Sequence, residues 1–115
     1  DFRIFENGST RKILSARPDF FFVKGEIIVY AYNRMFNVWY KGKEYKLENY
    51  SPKDFQLGIE GIAWIDESGR LKYFDKGNIS TVSYEIITGY NLTGSVLKFE
   101  TGNNTVNIFY KGQKY

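Results

Sequence analysis

The stretch Val38-Trp39-Tyr40-Lys41-Gly42 recurs as Tyr73-Phe74-Asp75-Lys76-Gly77 and again as Ile108-Phe109-Tyr110-Lys111-Gly112. The spacing is 73 − 38 = 35 residues and then 108 − 73 = 35. A fixed period of about 20 to 50 residues marks a repeat architecture, in which each copy buries its apolar face only against its neighbours. More than the motif matches at this shift. Phe20, Phe55 and Tyr90 align, followed two residues later by Phe22, Leu57 and Leu92. Ile27, Ile62 and Leu97 align, followed two residues later by Val29, Trp64 and Phe99, and Leu47 meets Val82. Apolar residues two apart are the pattern of a strand with one buried face.

One unit therefore reads as four short strands, a to d, predicted near residues 20–23, 26–32, 36–41 and 43–48. Tyr32-Asn33-Arg34, Glu67-Ser68-Gly69 and Gly102-Asn103-Asn104 fall between b and c, and tolerate the positive φ of tight hairpins. Between c and d stands Lys-Gly each time, with Gly42, Gly77 and Gly112 as the expected left-handed position. No segment carries the apolar i, i+3, i+4 pattern over ten residues, so no helix beyond one or two turns is expected. Trp39, Phe74 and Phe109 share one repeat position and Val29, Trp64 and Phe99 another; both read as packing positions between units.

Residues 1–19 look like strands c and d of a preceding unit. Ile4-Phe5 matches Val38-Trp39 at a shift of 34, as do Gly8, Ile13 and Pro18 against Gly42, Leu47 and Pro52. The fold class is thus all-β, with four-stranded antiparallel repeats of about 35 residues that suggest the blades of a partial β-propeller. An open β array is the alternative. The single repeat domain 1–115 divides into a partial unit 1–19 and units 20–54, 55–89 and 90–115. Closed propellers typically carry about 4–8 blades, so the chain is expected to be part of a longer propeller or to assemble with others.

Composition narrows the chemistry. Ten Tyr, ten Phe and two Trp favour β-structure, because large rings pack well on a pleated surface. The net charge of +3 is spread, with Lys and Arg interleaved among Asp and Glu. A nucleic-acid partner would call for a basic stripe instead, and none is expected. There is no Cys and no His, which removes thiolate chemistry, the commonest general base and the commonest metal ligand. The longest apolar run, residues 27–32, is far short of the ~18 residues that a membrane-spanning helix needs.

A hydrolase would need a carboxylate pair across a pocket. Asp54, Glu60, Asp66, Glu67, Asp75, Glu85 and Glu100 are the candidates, and none breaks the repeat as a catalytic residue should. Asp66-Glu67-Ser68-Gly69 reads as a hairpin turn, and its oxygens lack the spacing of a calcium loop. No catalytic residue, metal or cofactor is expected. Tyr32, Tyr40, Tyr50 and Tyr110 fall at turns or on the opposite strand face. Exposed tyrosines on a rigid sheet suit a protein contact or sugar stacking, so these four are the candidate binding residues. Asn7, Asn49, Asn78, Asn91 and Asn103 lie in glycosylation sequons, at unequal repeat positions.

The segment Gly61-Ile62-Ala63-Trp64-Ile65-Asp66-Glu67-Ser68-Gly69-Arg70-Leu71-Lys72-Tyr73-Phe74 resembles the strand–Asp–turn–Gly–strand blades of bacterial propeller-repeat proteins. It is similar also to WG-type repeats, although the Trp-Gly pair is missing. The Lys, Asn, Tyr and Phe bias is similar to exported proteins of Bacteroidota, among them the periplasmic plug family of the type IX secretion translocon, which occludes an outer-membrane channel. The resemblance covers about three units and carries no functional residue over. It implies a non-enzymatic interaction scaffold, periplasmic or extracellular, whose partner is a protein, such as an outer-membrane secretion complex that it caps. A carbohydrate-binding propeller module is the alternative.

Overall fold

A computed structural model describes residues 2–6, 8–14 and 18–115. A hairpin comes first, β1 (Phe2–Glu6) and β2 (Ser9–Leu14). Three antiparallel meanders follow. The first holds β3 (Phe20–Lys24), β4 (Ile27–Tyr32), β5 (Met35–Tyr40) and β6 (Lys43–Glu48). The second holds β7 (Phe55–Leu57), β8 (Gly61–Ile65), β9 (Leu71–Asp75) and β10 (Asn78–Ser83). The third holds β11 (Ile87–Thr93), β12 (Val96–Thr101), β13 (Val106–Tyr110) and β14 (Gln113–Lys114). Each meander hydrogen-bonds in chain order, strands a to d, and among the described residues there is no helix. The sequon at Asn7 lies outside the described residues.

The c–d turns are tighter than a glycine alone would make them. Lys41, Lys76 and Lys111 adopt φ of 47°, 51° and 50°, ahead of Gly42, Gly77 and Gly112 at 79°, 103° and 78°. Two consecutive left-handed residues make the turn whose twist matches the flanking strands. The lysine, not only the glycine, therefore leaves the right-handed region, at a cost of about 1 kcal/mol.

The sheets stack face to face and enclose two cores. Between the first and second lie Ile27, Val29, Phe36, Val38, Tyr40 and Leu47, facing Ile62, Trp64 and Phe74. Between the second and third lie Ala63, Leu71, Tyr73 and Val82, facing Leu92, Leu97, Phe99 and Phe109. Ring contacts show how the layers are offset. Phe20 of strand a stacks on Phe55 of the next strand a, with centroids 5.8 Å apart. Phe36 of strand c meets Trp64 of the next strand b at 5.9 Å. Tyr45 of strand d meets Phe74 of the next strand c at 5.0 Å. Inner strands thus cover inner strands, while outer strands cover the middle of the following sheet.

One expectation fails by a single residue. Phe74 pairs with Ile62 and Phe109 pairs with Leu97, but Trp39 pairs with Ile28, not Ile27. Strand a follows suit: Leu57 pairs with Ile62 and Leu92 with Leu97, whereas Val23 pairs with Ile28. Strands a and b of the first sheet therefore correspond to those of the second at a shift of 34, while c and d keep 35. The cause is the b–c hairpin. It turns on two residues, Asn33 and Arg34, in the first sheet and on residues 66–70 and 101–105 in the others. A one-residue slip sends a side chain to the other face. Phe22, Ile27 and Val29 accordingly face the following sheet, while Leu57, Ile62 and Trp64 face the preceding one. The true counterparts of Phe55, Leu57, Ile62 and Trp64 are Phe21, Val23, Ile28 and Tyr30.

Candidate functional site

Chain direction alternates along each meander, so the b–c hairpins and the d-to-a connections share one edge of the sheets. The a–b and c–d turns share the other. Of the predicted tyrosines, Tyr32 and Tyr50 fall at the first edge and Tyr40 and Tyr110 at the second, so the structure does not bring the four together. Tyr40 is a correction. It is only 5% exposed, belongs to the first core, packs edge-on to Phe74 at 6.1 Å and donates its hydroxyl to Glu60 Oε2 at 2.8 Å. Burial, reinforced by Glu60 and opposed by Lys41, raises its pKa, so the hydroxyl remains a donor. A ring held this way has no face to offer a ligand. Tyr110 is half-buried, with the Lys111 ammonium 5.3 Å from its ring, and Tyr32 is half-buried at the end of β4.

The most constructed part of the first edge surrounds the hairpin 66–70. Asp66 shapes it: Oδ1 accepts the Ser68 and Arg70 amides, each at 2.9 Å. Gly69 takes φ of 84° and donates its amide to the Asp66 carbonyl at 3.0 Å. This is the local hydrogen bonding that makes Asp a turn residue. Asp66 Oδ2 also lies 3.3 Å from Lys72 Nζ, which is 2.9 Å from Glu48 Oε2; that same oxygen accepts the Trp64 indole N–H at 2.9 Å. Burial works to raise the Asp66 pKa, but the Arg70 and Ser68 amides and Lys72 outweigh it and hold it below the usual carboxylate value. Burial likewise works against the Lys72 charge, but Glu48 and Asp66 hold it in place and raise its pKa. The hairpin is thereby bolted to both sheets that flank it.

On one side of the hairpin stands Tyr50, whose Oη accepts the Glu67 amide at 2.7 Å. A cleft of about 570 Å³ opens there, walled by Tyr50, Pro52, Lys53, Asp54, Ile65 and Glu67. On the other side stand Tyr84, with the Arg70 guanidinium 5.3 Å from its ring, and Ile86. Tyr84 and Ile86 are 75% and 77% exposed, more than any other large apolar residue among those described. The sequence reading missed both. The signal was available, since residues 84–86 stand 35 beyond residues 49–51 and so occupy the same d-to-a connection as Tyr50. Among the described residues no group of three acidic side chains is placed to hold a metal ion.

Stacked four-stranded meanders with inward rings make this a β-propeller, present as an open array of blades. The chain belongs to the 10-bladed beta propeller domain family, whose model matches residues 1–115. No curated protein and no solved structure matches it. Among the described residues no helix is long and apolar enough to cross a membrane. A rigid β-propeller framework of this kind fits an interaction scaffold in general, since function on such folds sits in the connections.

Proposed function

We propose that the chain is a non-catalytic scaffold that binds a protein partner along the edge formed by Tyr50, the 66–70 hairpin, Tyr84 and Ile86. The observation that carries this reading is the exposure of Tyr84 and Ile86 beside Arg70 and a cleft, on connections anchored by the Glu48–Lys72–Asp66 ion pairs. Tyr and Arg dominate the energetics of protein contacts because they present large, rigid, amphipathic surface. The setting we propose is periplasmic or extracellular, with an outer-membrane secretion complex as the assembly it caps; this rests on the likeness of composition and blade pattern alone. Carbohydrate is the alternative ligand class and depends chiefly on Tyr50, since Tyr40 is buried.

The test compares complexes recovered by cross-linking in the native host from wild type, Tyr84→Ala with Ile86→Ala, and Tyr50→Ala. A defined partner lost from the first variant, with melting temperature unchanged, supports the proposal. Retention of every partner by both variants refutes it. Glycan-array binding that disappears only in Tyr50→Ala would replace it with the sugar-binding reading, and turnover with a bell-shaped pH profile would overturn the non-catalytic assignment.

A further inference from the structure

In the second and third sheets the preceding face of strand a is packed. Phe55 lies against Phe20, Phe22 and Phe36, with centroids 5.8, 5.8 and 5.2 Å away, and Leu57 packs on the first core. Leu92 is 6% exposed within the second core, and Tyr90 packs against it. Their counterparts in the first sheet are Phe21 and Val23, which are 55% and 62% exposed. The rest of that same face is closed: Tyr30, Asn37 and Trp39 are 0%, 7% and 7% exposed.

The split follows from the stacking rule seen between the complete sheets. Outer strands c and d cover strands b and c of the next sheet, and strand a covers strand a. The β1–β2 hairpin corresponds to c and d: Glu6 pairs with Ser9 across its turn as Tyr40 pairs with Lys43. A c–d pair alone accounts for a closed middle and an open inner edge. Among the described residues β1 pairs only with β2, so its other edge carries no strand. An open edge next to exposed apolar residues is a template for strand addition.

We propose that this face is a docking site for an extended β-hairpin from a partner polypeptide, patterned like strands a and b of this repeat. Its second strand pairs along the free edge of β1. Its first strand lays apolar residues at alternate positions over Phe21 and Val23, as Phe20 and Phe22 lie over Phe55. The hairpin converts the two-stranded sheet to four strands and continues the contact already present between the other sheets.

The probe is a synthetic peptide of residues 19–32 of this sequence with a solubilising lysine tail, titrated into the full chain and followed by amide NMR shifts and fluorescence anisotropy. Saturable binding is expected, with shifts confined to β1 and β3. It should weaken tenfold or more in Phe21→Asp and in Val23→Asp, and be absent for a scrambled peptide. Both positions are more than half exposed, so the melting temperature of each variant should stay within a few degrees of wild type. Should one fold poorly, Val23→Lys provides the same test. Binding of the scrambled peptide with equal strength, or shifts at β14 in place of β1, overturns the proposal. Concentration-dependent shifts of β1 and β3 without peptide would assign the face to a second copy of the chain and overturn the choice of occupant.

Discussion

Trp64→Phe is the substitution that probes the joint between the first two sheets most sharply. Trp64 is fully buried, packs edge-on to Phe36 at 5.9 Å and donates to Glu48 Oε2 at 2.9 Å. That oxygen also takes Lys72 Nζ at 2.9 Å, and Glu48 and Lys72 are 12% and 22% exposed, so neither charge is freely hydrated. Phenylalanine keeps the apolar contact but leaves the carboxylate short of one donor. A hydrogen bond to a charged group is worth about 1.5–3 kcal/mol, so the variant should lose about 2 kcal/mol. For a domain of this size that is a fall in Tm of about 8 °C. Trp64→Ala adds a cavity and should cost about 3–5 kcal/mol. Urea unfolding followed by far-UV circular dichroism measures both. A cycle with Glu48→Gln should show coupling of about 1 kcal/mol, because both substitutions touch one oxygen. Additivity within about 0.5 kcal/mol, or a Trp64→Phe cost below that, would refute the network argument.

Other perturbations separate space from conformation and charge from burial. A Cβ at Gly58 would lie 2.2 Å from the Gly94 carbonyl oxygen and 3.1 Å from Leu92, so Gly58→Ala should cost several times more than Gly112→Ala. At Gly112, φ is +78° with nothing within 4 Å, and the strain alone is about 1 kcal/mol; denaturation midpoints of the pair decide. The Asp66 pKa is lower folded than unfolded, so its contribution is present above the ordinary value near 3.9 and lost as pH falls through the folded one. Unfolding midpoints should therefore drop on acidification below about pH 4, and Asp66→Asn should flatten that part of the profile; an unchanged profile argues against the Lys72 pairing. Tyr40→Phe removes the donor to Glu60 inside a core and should cost about 1 kcal/mol, read from the same midpoints.

The repeat made most of the fold legible, since its strands and turns follow from apolar alternation and from Lys-Gly at each c–d hairpin. The register of the first sheet was not legible, for a reason visible in the residues. Phe20-Phe21-Phe22 and Ile27-Ile28-Val29 are unbroken apolar runs, so shifts of 34 and 35 both place apolar residues on both faces. Only the length of the b–c turn decides between them, and turn length is fixed in three dimensions by which strand ends pair. The candidate site was less legible still. Tyr40 stands next to a turn, where exposure is the natural expectation, but the slip of strand b and the Glu60 carboxylate draw its ring into the core. Tyr84 and Ile86 sit in a connection with no motif of its own and become conspicuous only once the 66–70 hairpin is folded beside them.

The most direct test of the stacked-sheet account is an aromatic NOESY spectrum of the isotopically labelled protein. Trp64 indole protons should show cross-peaks to Phe36, and Tyr73 ring protons to Phe109, whose centroids lie 5.9 Å apart in each case. Cross-peaks from Trp64 to Leu97 or Phe99 would place its ring on the opposite face of the second sheet and contradict the account.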